Sequence, residues 1–166
     1  MRVLLAILVL AIGAGVARAQ SKIDRIDIVE AGIYRAQTAT IEYAPDTATR
    51  QRNVLSETKL VAATTRIEAK IGVHFGMRYR LVGRPNNATA KLTSITQYPA
   101  PGLRNPLVGK PQTRGEHSLF ATIGTINYRG YVFEHDWELV PGVWTFEIWD
   151  GQRKLASQAF EVVRPR

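Results

Sequence analysis

The sequence has no cysteine among its 166 residues. A chain without cysteine can form no disulfide, no thiolate zinc site and no cysteine nucleophile. It also lacks the residue that is lipid-modified in exported lipoproteins. Because small exported domains often rely on disulfides, a domain of this composition must rely on the packing of its core.

Motifs for catalysis and nucleotide binding are also missing. No serine stands in a Gly-x-Ser-x-Gly elbow, and no His-Glu-x-x-His zinc motif occurs. The segment Gly72 to Gly76 lacks the Lys-Ser/Thr ending of a phosphate loop, so a bend or bulge within a strand explains it better. We therefore expect a protein that is not an enzyme and uses no cofactor. A hydrolase without a recognisable motif is the alternative.

What the sequence does contain begins with an apolar N-terminal run. Arg2 precedes the apolar stretch from Val3 to Ile12, and Ala17 and Ala19 stand just before Gln20. This pattern is typical of a secretory signal peptide, and its apolar core is shorter than the ~20 residues of a membrane span. We predict cleavage after Ala19 and export to the periplasm or the medium, with an uncleaved anchor as the alternative. No later segment is apolar enough to cross a membrane.

The rest of the chain, residues 20–166, predicts one all-β domain. The clearest strand has apolar residues at every second position, with polar residues or glycine between them; the apolar positions are Val73, Phe75, Met77, Tyr79 and Leu81. Further strands are predicted at Leu119 to Ile126, Tyr131 to Leu139, Val143 to Trp149 and Leu155 to Val163. Asp150-Gly151 predicts a tight hairpin between the last two. Alternation also places Trp144 and Phe146 in the core.

Seven or eight short strands separated by turn signals, without alternating helices, favour an antiparallel immunoglobulin-like β-sandwich with long loops. The first strand is predicted from Ile23 to Tyr34 with a break at Gly32. The polar segment from Thr38 to Glu57 is predicted as a long connection, with one short strand at most. Leu60 to Ile71 fits a helix or a strand, and strand is favoured. Pro99 to Gly115 is rich in proline and glycine and predicts a long loop.

Three segments resemble a bacterial family of exported domains of unknown function. They are residues 28–34, 71–79 and 138–148, and the resemblance covers nearly all of residues 20–166. The final hairpin, Gly142-x-Trp144-x-Phe146-x-Ile148 followed by Asp150-Gly151 and Phe160-x-Val162, is similar to the closing strands of bacterial immunoglobulin-like domains. The resemblance implies fold and export. It implies no activity and carries over no site residues.

The basic residues are the first candidate site, since the net charge is +8. Arg78 and Arg80 are predicted on one wet strand face, and Arg104, Lys110 and Arg114 lie in the proline-rich loop. Such a surface attracts an anionic envelope component or an acidic protein face. We interpret these residues as the partner-binding surface of a non-enzymatic module of the cell envelope, with ordinary solvation as the alternative. Nucleic acid is not expected, because no nucleic-acid-binding motif is present.

The histidines are the second candidate site. His117 follows Glu116, and His135 lies between Glu134 and Asp136, so imidazole and carboxylate groups from two strands can converge on a divalent metal. Side chains alternate along a strand, which separates His135 from its acidic neighbours. A periplasmic protein that binds a metal or small ligand through His117 and His135 is therefore the alternative function.

Overall fold

The computed structural model describes residues 21–165. The predicted signal segment, with Ala17, Ala19 and Gln20 at its cleavage site, lies outside the described residues. Within the described range the chain forms nine β-strands and one 3-10 helix. The strands are β1 (Lys22–Tyr43), β2 (Gln51–Ala62), β3 (Arg66–Glu68), β4 (His74–Arg84), β5 (Thr89–Gln97), β6 (Arg114–Thr122), β7 (Ile126–Val132), β8 (Gly142–Asp150) and β9 (Arg153–Val163), and the 3-10 helix is Asp136–Glu138.

The strands form two sheets, one of four strands in the order β2-β1-β4-β7 and one of five in the order β3-β9-β8-β5-β6. Neighbouring strands are antiparallel except for β3 and β9, which run parallel over three residue pairs. The predicted all-β sandwich is confirmed. Its strands number nine where seven or eight were expected, because a polar segment predicted as a connection is also a strand.

Two local predictions are confirmed in detail. On β4 the side chains of Phe75, Met77, Tyr79 and Leu81 are fully buried, as the alternation predicts. The β8–β9 hairpin turns at Gly151, whose φ of 58° is a conformation that favours glycine. Local sequence is enough for these elements because each has one buried face or one required turn residue.

An aromatic cluster joins the two sheets. The Phe75 ring centroid on β4 lies 5.3 Å from those of Phe146 and Phe160, which belong to the five-stranded sheet. It also lies 5.1 Å from the Phe133 centroid and 5.9 Å from the centroid of Trp144. All five side chains are fully buried. This packing supplies the stability that disulfides often supply in small exported domains.

The prediction that Thr38 to Glu57 is a connection is wrong. β1 continues to Tyr43, the chain turns over residues 44–50, and β2 returns antiparallel, with Tyr43 opposite Gln51. The pairing of β1 with β4 ends at Tyr34 and His74, so the hairpin of residues 35–59, here called the arm, projects beyond β4. Most of its side chains are exposed. A strand pair without a buried face shows no alternation, and therefore gives no strand signal.

The predicted break at Gly32 is also wrong, since this glycine lies inside β1. Gly32, Gly76 and Gly130 stand opposite one another on β1, β4 and β7. A side chain at position 130 would collide with the hydroxyl of Tyr128, which lies over that glycine. The Tyr128 ring meets the ring of Tyr34 edge-on, with centroids 4.9 Å apart. Gly130 therefore makes room for the hydroxyl of Tyr128.

The predicted strand from Tyr131 to Leu139 ends early, at Val132. A buried carboxylate explains the change, since Glu138 accepts hydrogen bonds from the Tyr131 hydroxyl at 2.6 Å and from the backbone N–H groups of Glu134 and His135 at 2.6 and 2.7 Å. Because these donors bind the side chain of Glu138, the chain leaves the strand and forms the 3-10 helix that contains Glu138. Burial raises the pKa of the Glu138 carboxyl.

Three other predicted bounds shift. Strand is confirmed for part of Leu60 to Ile71, where β2 ends at Ala62 and β3 covers Arg66–Glu68. The predicted strand from Leu119 to Ile126 instead ends at Thr122, and β7 begins at Ile126. The predicted loop from Pro99 to Gly115 ends before Arg114, where β6 begins, and it is partly ordered by backbone pairing, because Leu103 and Gln112 exchange two hydrogen bonds of 2.8 Å.

Replacing Phe75 by alanine should lower the free energy of unfolding by about 3–5 kcal/mol, because it removes the ring at the centre of the inter-sheet cluster. Phe120→Ala is the matched control, since that ring is 57% exposed and its loss should cost less than about 1 kcal/mol. Urea denaturation followed by tryptophan fluorescence measures both. Equal losses in the two variants would contradict the assignment of the cluster as the main link between the sheets.

Candidate functional site

A cleft of about 500 Å³ opens between β6 and β7. β6 is an edge strand of the five-stranded sheet, and β7 is an edge strand of the four-stranded sheet. The arm forms the third wall, with β2 residues from Gln51 to Thr58 lining the cleft. Across the opening, the side-chain amide of Asn53 donates a hydrogen bond of 2.9 Å to the Glu134 carboxylate. Three segments distant in sequence therefore enclose one cavity.

The turn of the arm is attached to the rest of the domain by hydrogen bonds. The Glu116 N–H donates to the carbonyl of Asp46 at 2.8 Å, and the Asn105 side-chain amide donates to the carbonyl of Ala48 at 2.8 Å. Both Ala48 and Asn105 are buried. The first bond joins the turn to β6, and the second joins it to the proline-rich loop, so the arm is held over the cleft.

Arg129, on β7, lines the cleft although its residue is only 6% exposed. Its Nε donates to the hydroxyl of Ser94, its Nη2 to the hydroxyl of Thr96, and its Nη1 to the carbonyl of Gly130. The guanidinium carbon lies 4.6 Å from the centroid of the Phe146 ring, a cation–π contact. The arginine of one sheet is thus bound by the opposite sheet.

The positive charge of Arg129 has no carboxylate partner within residues 21–165. Burial lowers its pKa, but arginine titrates so far above neutrality that it stays protonated. The side chains whose ionisation would act most on that pKa are tyrosines: Tyr98, Tyr128, Tyr79 and Tyr131. A buried cation without an anion is costly. The inner wall of the cleft therefore carries a positive charge that the described residues do not neutralise.

His117 faces the same space from β6, opposite Ser94 on β5. Burial, together with the smaller effect of the positive charges of Arg129 and Arg52, lowers the pKa of its imidazole to about 3. The ring is therefore neutral at physiological pH, with one nitrogen that donates and one that accepts a hydrogen bond.

The remaining lining is mixed. The Tyr128 hydroxyl is buried, and no hydrogen-bond partner for it lies in the described part of the chain. Burial raises the pKa of this phenol, so the hydroxyl keeps its proton. Val54, Leu55 and Leu119 give the cleft apolar wall, and Phe120 lines it with a ring that is 57% exposed. The cleft combines a few polar groups with apolar surface, which is the usual composition of a small-molecule site.

Residues 22–162 match the family model described as a domain of unknown function, DUF3859. The chain belongs to the DUF3859 family. It is also similar to an immunoglobulin-like protein of Pseudomonas aeruginosa whose crystal structure is known at 1.50 Å resolution, with 26% sequence identity and a TM-score of 0.60. The match covers 89% of this chain and 99% of that one. The predicted immunoglobulin-like fold and the resemblance to a family of unknown function are confirmed.

Among curated proteins, none matches this sequence. Between residues 21 and 165, no helix is long and apolar enough to cross a membrane. The comparisons therefore establish family and fold, and any activity must be argued from the cleft itself.

The predicted basic surface is distributed over both sheets and a loop. Arg78 and Arg80 lie on β4, Arg104 and Lys110 are exposed between β5 and β6, and Arg114 is on β6. None of these five residues lines the cleft.

Two of these five basic residues have a carboxylate partner. Arg78 pairs with Glu30 at 3.2 Å, and Arg114 pairs with Glu116 at 2.7 Å. Within residues 21–165, Arg80, Arg104 and Lys110 form no ion pair. These three exposed charges are the part of the predicted surface that is free to attract an anion.

The two histidines predicted as metal ligands have different surroundings. His117 lines the cleft, whereas His135 is exposed and stacks on the Trp137 ring with centroids 5.5 Å apart. No group of three or more His, Asp or Glu side chains in the described residues is arranged to hold a metal ion. The charges of Arg129 and Arg52 beside His117 also repel a cation. Use of His117 and His135 as a metal pair stays a prediction.

Sequence reasoning missed Arg129, although two signals pointed to it. Every second residue of an extended chain lies on the same face, so Arg129 lies on the face of Tyr131 and Phe133. This face points to the core. On β5 the alternate positions that face the core change from apolar residues to Ser94 and Thr96. A cation among core positions and two hydroxyls on a facing strand together indicate a buried polar contact between the sheets.

The depressed pKa of His117 predicts an acid-sensitive stability. The unfolded chain binds a proton at this histidine below pH ~6.5, whereas the folded chain resists protonation down to about pH 3. The free energy of unfolding should therefore fall as the pH decreases through that window. The His117→Gln variant lacks this acid-dependent loss. Its free energy of unfolding, relative to that of the wild type, should therefore be higher at pH 4 than at pH 7.

Urea denaturation at both pH values measures this effect, with His135→Gln as the control at an exposed histidine. If the difference between wild type and His117→Gln is the same at pH 7 and pH 4, the histidine is not held neutral by the fold.

Proposed function

We propose that this member of the DUF3859 family is an exported, non-enzymatic binding module of the bacterial cell envelope, and that the cleft between β6 and β7 is its binding site. The N-terminal pattern, with Ala17 and Ala19 before Gln20, supports export to the periplasm or the medium. The comparisons contribute the family and the immunoglobulin-like fold.

The observation that carries the proposal is the buried, uncompensated charge of Arg129 in an open cavity. A purely structural arginine in a core is normally paired, and apolar residues of similar volume often replace such groups without loss. Here the guanidinium lines a cleft of about 500 Å³, within the ~300–1,000 Å³ typical of ligand pockets. The simplest role for such a guanidinium is to bind part of a ligand.

The polar groups of the cleft favour binding over catalysis. An imidazole with a pKa of about 3 is a weak base at neutral pH, so His117 is poorly matched to proton abstraction. The Glu134 carboxylate is already an acceptor for Asn53. The arginine and the imidazole offer fixed charge and hydrogen bonds, which hold and orient a molecule.

The exposed basic residues extend the proposal to a protein partner or an anionic envelope component. Arg104 and Lys110 project from the proline-rich loop, and Arg80 projects from β4. Their charges raise the local concentration of an acidic partner and speed its association. In this proposal the cleft binds the ligand and the exposed basic residues attract the acidic partner.

Filling the cleft tests the proposal. Ser56 is an exposed serine on the arm wall, and Ser56→Trp should occupy part of the cavity. Ser157→Trp is the matched control, because Ser157 is an exposed serine on β9 and does not line the cleft. Ligand-observed NMR with a mixture of small organic acids, amides and sugars should show saturable binding to wild type and to Ser157→Trp, and at least ten-fold weaker binding to Ser56→Trp.

Equal binding to all three proteins would place the site elsewhere and contradict the proposal. Absence of any fragment binding to the wild type would contradict it as well.

A further inference from the structure

We infer that the ligand of the cleft is a small organic monocarboxylate, whose carboxylate is bound by Arg129 and whose apolar body packs against the arm and β6. This inference rests on the proposed function, since it names the chemical class that the same site accepts.

The first argument is a count of donors. An arginine side chain has five N–H groups, and three of those on Arg129 are satisfied by Ser94, Thr96 and the carbonyl of Gly130. One N–H group is left on each of the terminal nitrogens Nη1 and Nη2. Two donors on neighbouring nitrogens of a planar guanidinium match the two oxygens of a carboxylate.

The second argument is the charge of the site. The other arginine in the lining, Arg52, already pairs with Glu42, with Nε 2.7 Å from the carboxylate oxygen. The Glu134 carboxylate at the opening repels additional negative charge. One positive charge is therefore available for one negative charge, which favours a monoanion over a phosphate dianion.

The third argument is the surface around the charge. Val54, Leu55, Leu119 and Phe120 line the cleft with apolar groups, and the neutral imidazole of His117 adds one donor and one acceptor. An inorganic anion would leave this apolar surface in water. A ligand with a carboxylate at one end and a hydrocarbon or aromatic body fills the cavity and removes that surface from water.

Paired probes that differ only in charge test the inference on the purified protein. Isothermal titration with hexanoate and hexanamide, and with benzoate and benzamide, compares each acid with its neutral analogue; sodium phosphate and sodium sulfate test inorganic anions. We expect each carboxylate to bind at least ten-fold more tightly than its amide, and more tightly than either inorganic anion.

Arg129→Met should remove the preference for the acid while leaving amide binding within about two-fold, because methionine keeps the apolar volume and loses the charge. Arg25→Gln is the matched control, since Arg25 is an exposed arginine on β1 that lies outside the cleft and is not among the basic residues proposed to attract a partner. It should leave every affinity unchanged.

A second variant keeps the test independent of the folding of Arg129→Met. Phe120→Ser removes apolar lining at an exposed position, so hexanoate and hexanamide should both bind more weakly while their ratio is kept.

Equal affinity for acids and amides, together with weaker binding to Ser56→Trp, would overturn the carboxylate assignment and leave the cleft as a binding site. Tighter binding of phosphate or sulfate than of the organic acids would also overturn the assignment. Failure of every probe would overturn it, and the fragment comparison between Ser56→Trp and Ser157→Trp then decides the proposed function by itself.

Discussion

The contact of Arg129 with the facing sheet is the interaction on which the open side of this sandwich depends. Elsewhere the two sheets are joined by aromatic packing around Phe75. Near β6 and β7 that packing gives way to a guanidinium held by Ser94 and Thr96. A polar bridge at this place couples the sheets and also places a buried positive charge in the lining of the cleft. The same residue therefore links the two sheets and supplies the charge on which the proposed binding site depends.

The arm converts this open side into a cavity. A sandwich without it would present β6 and β7 as bare edges, which are prone to pair with other chains. The arm covers the opening, and its turn is fixed by the Asn105 amide on the carbonyl of Ala48. Its polar sequence follows from this position, because a hairpin in contact with solvent on most of its surface needs no apolar face. The proline-rich loop thus has a structural task, since it holds the arm.

Prediction from sequence succeeded for strands that bury one face and expose the other. The alternation around Phe75 and the Gly151 turn depend on neighbouring residues alone, and both are confirmed. It failed for the arm, whose strands bury neither face. It also failed beyond Val132, because the donors near the 3-10 helix pair with the carboxylate of Glu138. Such a pairing depends on which side chain is buried, and residue type alone does not decide that.

The sequence by itself determined the all-β class, the core positions and the resemblance to a family, because the period of apolar residues and a few turn residues encode them locally. The cleft was decided by the tertiary structure. His117, Arg129 and the arm lie on different strands, and only the folding of the arm over β6 and β7 brings them around one cavity. An arginine in a strand is ordinary in sequence. Arg129 is distinguished by having no carboxylate partner among the described residues. That is a property of the three-dimensional arrangement.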